Sequence, residues 1–250
     1  MEYTHTSAML PRFLADDLDL PRGTATLTGG EAQHVTRVLR LGPGDRVALF
    51  DGRGLEFEAR IEQIAGGAVA LRLGAPIAPA PERKVPLTLA QAVLKGSSMD
   101  DVVRDATMMG VVSIVPIVTE HTIAKRAASA HGAERWRRIA LASVKQCRRA
   151  RVPDIEEPIS LDTFVRRTGE GTTLLLVEPT VDAVQPMPVR NLSEQPKSAA
   201  LVVGPEGGWA AGEVRAAVDA GFVPITLGPL TLRADTAAFA ALAALSVIWD

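Results

Sequence analysis

The 250-residue sequence has a single cysteine, Cys147, and four histidines that stand far apart: His5, His34, His121 and His131. One thiol excludes an internal disulfide and a cysteine-based zinc cluster, and the histidines do not have the spacing of metal ligands. We therefore expect neither a structural metal nor a metal-dependent reaction.

Other classes of protein are excluded by patterns that do not occur. No apolar run reaches membrane-spanning length, and the first residues lack the apolar core of a signal peptide, so we expect a cytoplasmic protein with no membrane partner. The Gly-x-Gly-x-x-Gly fingerprint of dinucleotide-binding folds is absent. Lys95-Gly96-Ser97 lacks the preceding glycines of a phosphate-binding loop. The net charge of −2 gives no general attraction to nucleic acid, so an RNA-binding surface must be local.

Turn and strand signals divide the chain into two domains. Residues 1–8 are expected to be an extension, and residues 9–74 a small β-rich domain that includes a helix over Glu31–Leu41. Four prolines in residues 75–86 predict a semi-rigid linker. Residues 87–250 alternate almost continuously apolar strands with helical patterns, which predicts an α/β domain with a mainly parallel sheet.

Two glycine-rich loops near the end of the sequence predict a ligand site. The apolar run Leu201–Val203 ends in the loop Gly204–Gly208, and the run Pro224–Leu227 ends in Gly228 and Pro229. Glycine allows positive φ and close approach, so such loops expose backbone N–H and C=O groups. At the carboxyl ends of neighbouring strands they would form a pocket. Two ordinary βα turns would give the same pattern.

A basic segment, Glu134–Arg151, has seven basic residues and one acid. At about 100° per residue its apolar side chains share one helical face, and these are Trp136, Ile139, Ala140, Val144 and Cys147. Basic side chains lie roughly opposite, among them Arg148 and Arg149. Phosphate contact and an ordinary solvated helix face both fit this pattern.

The end of the sequence resembles the ribosomal RNA small subunit methyltransferase E family of the SPOUT class. The matching residues are Gly204-Pro205-Glu206-Gly207-Gly208-Trp209, Glu213, Ala220-Gly221-Phe222, Leu227-Gly228 and Leu232-Arg233-Ala234-Asp235-Thr236-Ala237. The resemblance extends to His34-Val35 and Arg37–Leu41, Lys95-Gly96 and Met99, and Gln146 and Arg149. It implies a PUA-like β-barrel RNA-binding domain followed by a SPOUT methyltransferase domain with a deep trefoil knot, in a homodimer.

The resemblance also implies the reaction, which is methyl transfer from S-adenosyl-L-methionine to N3 of a uridine in 16S ribosomal RNA, either free or in the small ribosomal subunit. The residues expected to bind the cofactor are Val177, Gly204, Pro205, Glu206, Gly207, Gly208, Leu227, Gly228, Leu232, Arg233 and Ala234. Those expected to bind RNA are Arg12, His34, Arg37, Arg40, Lys95, Arg148 and Arg149.

Three residues are candidates for the chemical step. Guanidinium keeps its proton, so Arg233 could stabilise negative charge on the uracil carbonyls but could not act as a base. Glu206 and Asp235 are candidate bases, with loop bracing and helix capping as equally good structural explanations. The family usually has a lysine, a glutamate and an arginine at the positions of Asp105, Met108 and His121, which puts any RNA or acid–base role there in doubt.

Two other functions stay open on the sequence alone. One is a non-catalytic RNA-binding or ribosome-assembly factor with the same fold. The other is a different α/β transferase or an NAD enzyme, against which the missing dinucleotide fingerprint argues.

Overall fold

The computed structural model describes residues 10–15, 17–123, 130–167, 171–179 and 184–250. They form two compact units. The first contains the described residues up to Pro81 together with Lys145–Val152, and the second contains those of Glu82–Val144 and Pro153–Asp250. Residues 1–8, the expected extension, lie outside the described residues. None of the described helices is long and apolar enough to cross a membrane.

The first unit is built on one six-stranded sheet. Its strands are β1 (Arg12–Leu14), β2 (Leu18–Asp19), β3 (Thr24–Leu27), β4 (Arg46–Phe50), β5 (Glu56–Ala65) and β6 (Ala68–Pro76). They lie in the order β1-β4-β5-β6-β3-β2, and only β1 and β4 are parallel. Alternating apolar side chains, including Phe13, Leu49 and Leu71, form its buried core.

The helix expected over Glu31–Leu41 is shorter and is not regular. An α-helix, α1 (Gly29–Gln33), is followed by a π-helical turn, His34–Val38, in which the Leu39 N–H donates to the His34 carbonyl at 3.0 Å. The segment ends at Arg40, whose φ of +55° no helix can continue. The His34 ring packs edge-on against Phe13, with 5.6 Å between ring centroids.

A buried ion pair joins distant parts of the first unit. The Arg12 guanidinium donates to both carboxylate oxygens of Glu56, at 2.8 and 2.9 Å, and the two side chains are 7% and 5% exposed. Arg12 also donates to the backbone carbonyls of Lys145 and Arg149. One side chain therefore fixes β1, β5 and the Lys145–Val152 segment together.

The second unit is an eight-stranded sheet flanked by helices. Its strands are β7 (Leu87–Ala92), β8 (Ser113–Val118), β9 (Asp154–Ile155), β10 (Ile159–Ser160), β11 (Thr172–Leu176), β12 (Met187–Pro188), β13 (Ala199–Val203) and β14 (Val223–Thr226). Its helices are α2 (Ser98–Met108), α3 (Ala130–Cys147), α4 (Leu161–Arg166), α5 (Ala211–Asp219) and α6 (Ala234–Trp249). The last three residues of α3, from Lys145 on, belong to the first unit. The order is β10-β8-β7-β13-β11-β14-β12, with β9 beside β8, and every pairing is parallel.

Helices cover both faces of this sheet, which is why its strands are apolar at almost every position. Leu174, Leu176 and Leu201 face a core formed with α2, α3 and α6. Leu175 and Val202 face the opposite core, formed with α4 and α5. The sequence prediction of a mainly parallel α/β sheet is confirmed.

The two strands that end at the glycine-rich loops, β13 and β14, are in register at the sheet edge with β11, which lies between them. Leu176, the last residue of β11, pairs with Val203 at the end of β13 and with Ile225 near the end of β14. The chain therefore leaves the sheet three times at one edge, into loops that begin at Val177, Gly204 and Leu227.

We predict that Arg12→Met destabilises the first unit by about 3–5 kcal/mol, because it leaves the Glu56 carboxylate buried without its counter-ion. The measurement is the free energy of unfolding in urea, followed by circular dichroism. Arg46→Met, which breaks the exposed Arg46–Glu58 pair, is the matched control and should cost less than about 1 kcal/mol. Equal losses in the two variants would contradict the assignment.

Candidate active site

The loops after β11, β13 and β14 enclose a cavity of about 470 Å³. This volume lies within the range of small-molecule sites, which is roughly 300–1,000 Å³. Its lining contains leucine and valine side chains, backbone groups and a few charged side chains. The whole cavity belongs to the second unit.

Most of the residues expected to bind the cofactor lie in this lining. They are Val177, Gly204, Pro205, Glu206, Gly208, Leu227, Leu232, Arg233 and Ala234, and Asp235 lies beside them. Gly207 and Gly228 belong to the same loops but do not line the cavity.

The sequence analysis missed several lining residues, among them Leu94, Ser98, Glu178, Trp209 and Leu230. For Glu178 a signal was available. It directly follows the apolar run Leu174–Val177, and the carboxyl ends of parallel strands meet at one edge of the sheet.

Trp209 holds the loop after β13 against the neighbouring strand. Its indole N–H donates to the Leu176 carbonyl at 2.8 Å. A Cβ on Gly204 would lie 2.9 Å from the indole ring, closer than real Cβ atoms come to other atoms. Glycine at position 204 is therefore required for the indole to lie against the backbone.

Two further contacts tie this loop to β7 and to the residues after it. The Lys95 backbone N–H donates to the Glu206 carboxylate at 2.9 Å. The buried Gln91 amide donates to the Gly204 carbonyl at 3.3 Å. Glu206, although exposed, thus braces the loop.

The segment after β8 supports the loop from another side. The Nδ1 of His121 lies 3.1 Å from the carbonyl oxygens of both Gly207 and Gly208. A carbonyl can only accept, so Nδ1 carries the proton and donates to this pair. Glu213 accepts from the backbone N–H groups of Glu120 and Ala210. Its carboxylate therefore caps α5, where Ala210 offers no side-chain cap.

Arg233 and Asp235 form an ion pair at the start of α6. The guanidinium donates to both carboxylate oxygens, at 3.3 and 3.0 Å, and the Thr236 N–H donates to the same carboxylate. Partial burial raises the pKa of Asp235, but the hydrogen bonds from Arg233 and Thr236 and the Arg233 charge outweigh it and leave this pKa below its usual value. Asp235 therefore stays ionised and is a weak base.

Among the described residues, no group of three or more histidine, cysteine, aspartate or glutamate side chains could hold a metal ion.

Comparison with known proteins identifies the family. The RNA methyltransferase domain model matches residues 81–246, and the RNA methyltransferase PUA domain model matches residues 27–73. The ribosomal RNA small subunit methyltransferase E of Synechocystis is 33% identical over 228 residues, which cover 91% of this chain and 74% of that protein.

The chain belongs to the ribosomal RNA small subunit methyltransferase E family.

Solved structures of similar proteins agree with this assignment. A Legionella pneumophila methyltransferase, in complex with the cofactor SAM, is 33% identical with a TM-score of 0.85, over 95% of this chain and 97% of its own. The family member from Neisseria gonorrhoeae, bound to S-adenosyl methionine, is 28% identical with a TM-score of 0.85, over 96% and 98%. The expected α/β methyltransferase domain with a parallel sheet, preceded by a PUA-like domain, is therefore confirmed.

Family membership does not make every expected RNA contact accessible. Arg12 and Arg149 are enclosed, with the Arg149 residue 4% exposed, so these two side chains offer little surface to RNA. His34 is half-buried against Phe13. Arg37, Arg40 and Arg148 are exposed on the first unit, and Lys95 is exposed on the second.

The three departures from the family pattern have different surroundings. Asp105 accepts from Arg104 on the surface of α2, and Met108 is 38% exposed on the same helix. His121, in contrast, supports the glycine-rich loop directly. Its replacement of the usual family arginine therefore changes a brace of the cavity.

Proposed function

We propose that this protein transfers a methyl group from S-adenosyl-L-methionine to N3 of a uridine in 16S ribosomal RNA. One observation carries the proposal: in a member of this family, three loops at the carboxyl edge of parallel strands enclose a ligand-sized cavity. The Neisseria relative with the same fold binds S-adenosyl methionine. A substrate in the small ribosomal subunit would place the reaction in the cytoplasm.

The cavity fits the proposed cofactor in its chemistry. Leu176, Val177, Leu227 and Leu232 offer apolar surface to an adenine ring. Backbone groups of the Gly204–Gly208 loop can form hydrogen bonds with the polar edges of that ring. The contacts of Trp209 and His121 hold the loop in place before binding. When bound, the cofactor supplies an electrophilic methyl group on a sulfonium, so the protein mainly has to position the acceptor.

Arg233 is placed to assist methyl transfer. Its side chain is 78% exposed at the cavity, and residue 233 is the N-cap of α6. Uracil loses its N3 proton during the reaction, and negative charge then spreads to the neighbouring carbonyl oxygens. A guanidinium beside them stabilises that charge and cannot take the proton itself.

Glu206 is the better of the two candidate bases. Asp235 is committed to Arg233 and to the start of α6, and its low pKa weakens it as a proton acceptor. Glu206 lines the cavity and accepts from the Lys95 N–H with one oxygen, and its other oxygen makes no hydrogen bond to the described residues. Because N3 lies on the pairing edge of uracil, the target must be unpaired when the proton leaves.

RNA contact by the first unit is proposed to depend on Arg37, Arg40 and Arg148. All three are exposed, and Arg40 and Arg148 extend from positive-φ positions. Val38 and Leu39, 67% and 41% exposed beside Arg37, add apolar surface on which bases can stack.

We also propose that the protein is a homodimer. One face of α6 carries Phe239, Ala240, Ala243 and Val247 at helical spacing, with Phe239 46% and Val247 87% exposed. Small residues allow a second helix to approach closely. Light scattering should give twice the 26.5 kDa chain mass, and Val247→Glu should shift the protein toward monomer. A native protein that is already monomeric would refute this part.

The reaction is tested with labelled S-adenosyl-L-methionine and small ribosomal subunits from cells that lack this enzyme. We expect label in one nucleoside, N3-methyluridine, with free 16S RNA compared in parallel as substrate. Arg233→Ala should lower kcat about 10²–10³-fold, because it removes charge stabilisation at the reacting carbonyls. Its affinity for the cofactor should change by less than about threefold, since the binding contacts are chiefly to backbone.

Arg215→Ala, which removes an exposed guanidinium on α5 outside the cavity, is the control and should leave kcat unchanged. Cofactor binding without any methyl transfer would instead support the non-catalytic assembly factor. Failure to bind the cofactor at all would contradict the proposal.

A further inference from the structure

Glu178 lies in the cavity at the centre of the three loops. It follows β11, the strand between β13 and β14, and its half-buried carboxylate faces the loop after β13. A Cβ on Gly208 would lie 3.1 Å from the nearer carboxylate oxygen, and Gly208 has a φ of +71°. A side chain on residue 208 would therefore crowd the carboxylate, and glycine leaves it open.

The three carboxylates that line the cavity differ in their partners. Glu206 accepts from the Lys95 N–H, and Asp235 is paired with Arg233. Glu178 makes no hydrogen bond or ion pair in the part of the chain that the structure describes. A carboxylate in a partly apolar cavity is costly unless a donor or a positive charge meets it. A ligand is the natural source of that partner.

The side chains that line the cavity carry a net negative charge. The Arg233–Asp235 pair is neutral as a unit, and Glu178 and Glu206 add negative charge with no cationic side chain bonded to either. The cavity therefore attracts a cation. The two states of the cofactor differ in this property, since the methyl donor carries a positive sulfonium and S-adenosylhomocysteine, its product, carries a neutral sulfide.

We propose that Glu178 is a specificity-determining residue that makes the cavity bind the positively charged methyl donor more tightly than the neutral sulfide product. This inference rests on the proposed function, because it takes the cavity as the cofactor site. The proposal predicts different cofactor affinities before and after methyl transfer. Before transfer the carboxylate favours the donor, and after transfer that attraction is lost and the product leaves more readily.

The test is calorimetric titration of the full-length protein with S-adenosyl-L-methionine and with S-adenosylhomocysteine at low salt. Glu178→Gln keeps the shape of the side chain and removes its charge. We expect the affinity for the donor to fall on the order of tenfold, because a charge pair in a partly buried site is lost. The affinity for the product should change less than about twofold, since no ligand charge is affected.

Two further variants make the result specific to charge in the cavity. Glu178→Asp keeps the charge and should retain the preference for the donor. Asp219→Asn removes an exposed charge at the end of α5, outside the cavity, and should leave both affinities unchanged. In the native protein, added salt should narrow the difference between donor and product, while in Glu178→Gln it should have little further effect.

Two other outcomes would overturn the proposal, and a third would overturn the proposed function on which it rests. An equal loss of affinity for donor and product would overturn the proposal, because Glu178 would then bind a part that the two molecules share. Unchanged affinities in Glu178→Gln would overturn it as well. If the native protein bound neither molecule, the proposed function itself would fail, which separates the two claims.

Discussion

The candidate site depends on one constraint, the register of three parallel strands at a single sheet edge. Because Leu176 lies between Val203 and Ile225, the three loops start on neighbouring strands, and the spacing between adjacent strands is about 5 Å. None of the loops could form the cavity alone. Burial of both sheet faces fixes this register, since a one-residue slip would turn every core side chain to the wrong helix layer.

Polar contacts then turn that edge into a defined cavity. Gln91 near the end of β7 and His121 after β8 bond to backbone carbonyls of the Gly204–Gly208 loop, and Trp209, which follows the loop, bonds to the Leu176 carbonyl of β11. Ligand affinity depends on how much ordering remains to be done at binding, so these contacts favour a loop that is ordered beforehand. The charged side chains that line the cavity, by contrast, leave space for a ligand.

Much of this arrangement could be read from the sequence, and the failures have physical causes. Continuous apolar runs identified the buried parallel strands, and the glycine pattern identified two of the loops that line the cavity. Short strands such as β9 and β12 have too few residues to show a period. Arg12 looked like an RNA contact because local sequence does not show that Glu56 is its partner, 44 residues away. The support that His121 gives to the Gly204–Gly208 loop was overlooked for the same reason, since Gly207 lies 86 residues away.

The central claim, that these three loops are the cofactor site, is tested most directly by hydrogen–deuterium exchange with and without S-adenosyl-L-methionine. The account predicts slower exchange in peptides that cover Val177–Pro179, Gly204–Trp209 and Leu227–Ala234. It predicts no change at the opposite edge of the sheet, where Thr88, Ser113 and Thr172, at the amino ends of β7, β8 and β11, line a separate cavity. Protection at that opposite edge, with none in the three loops, would contradict it.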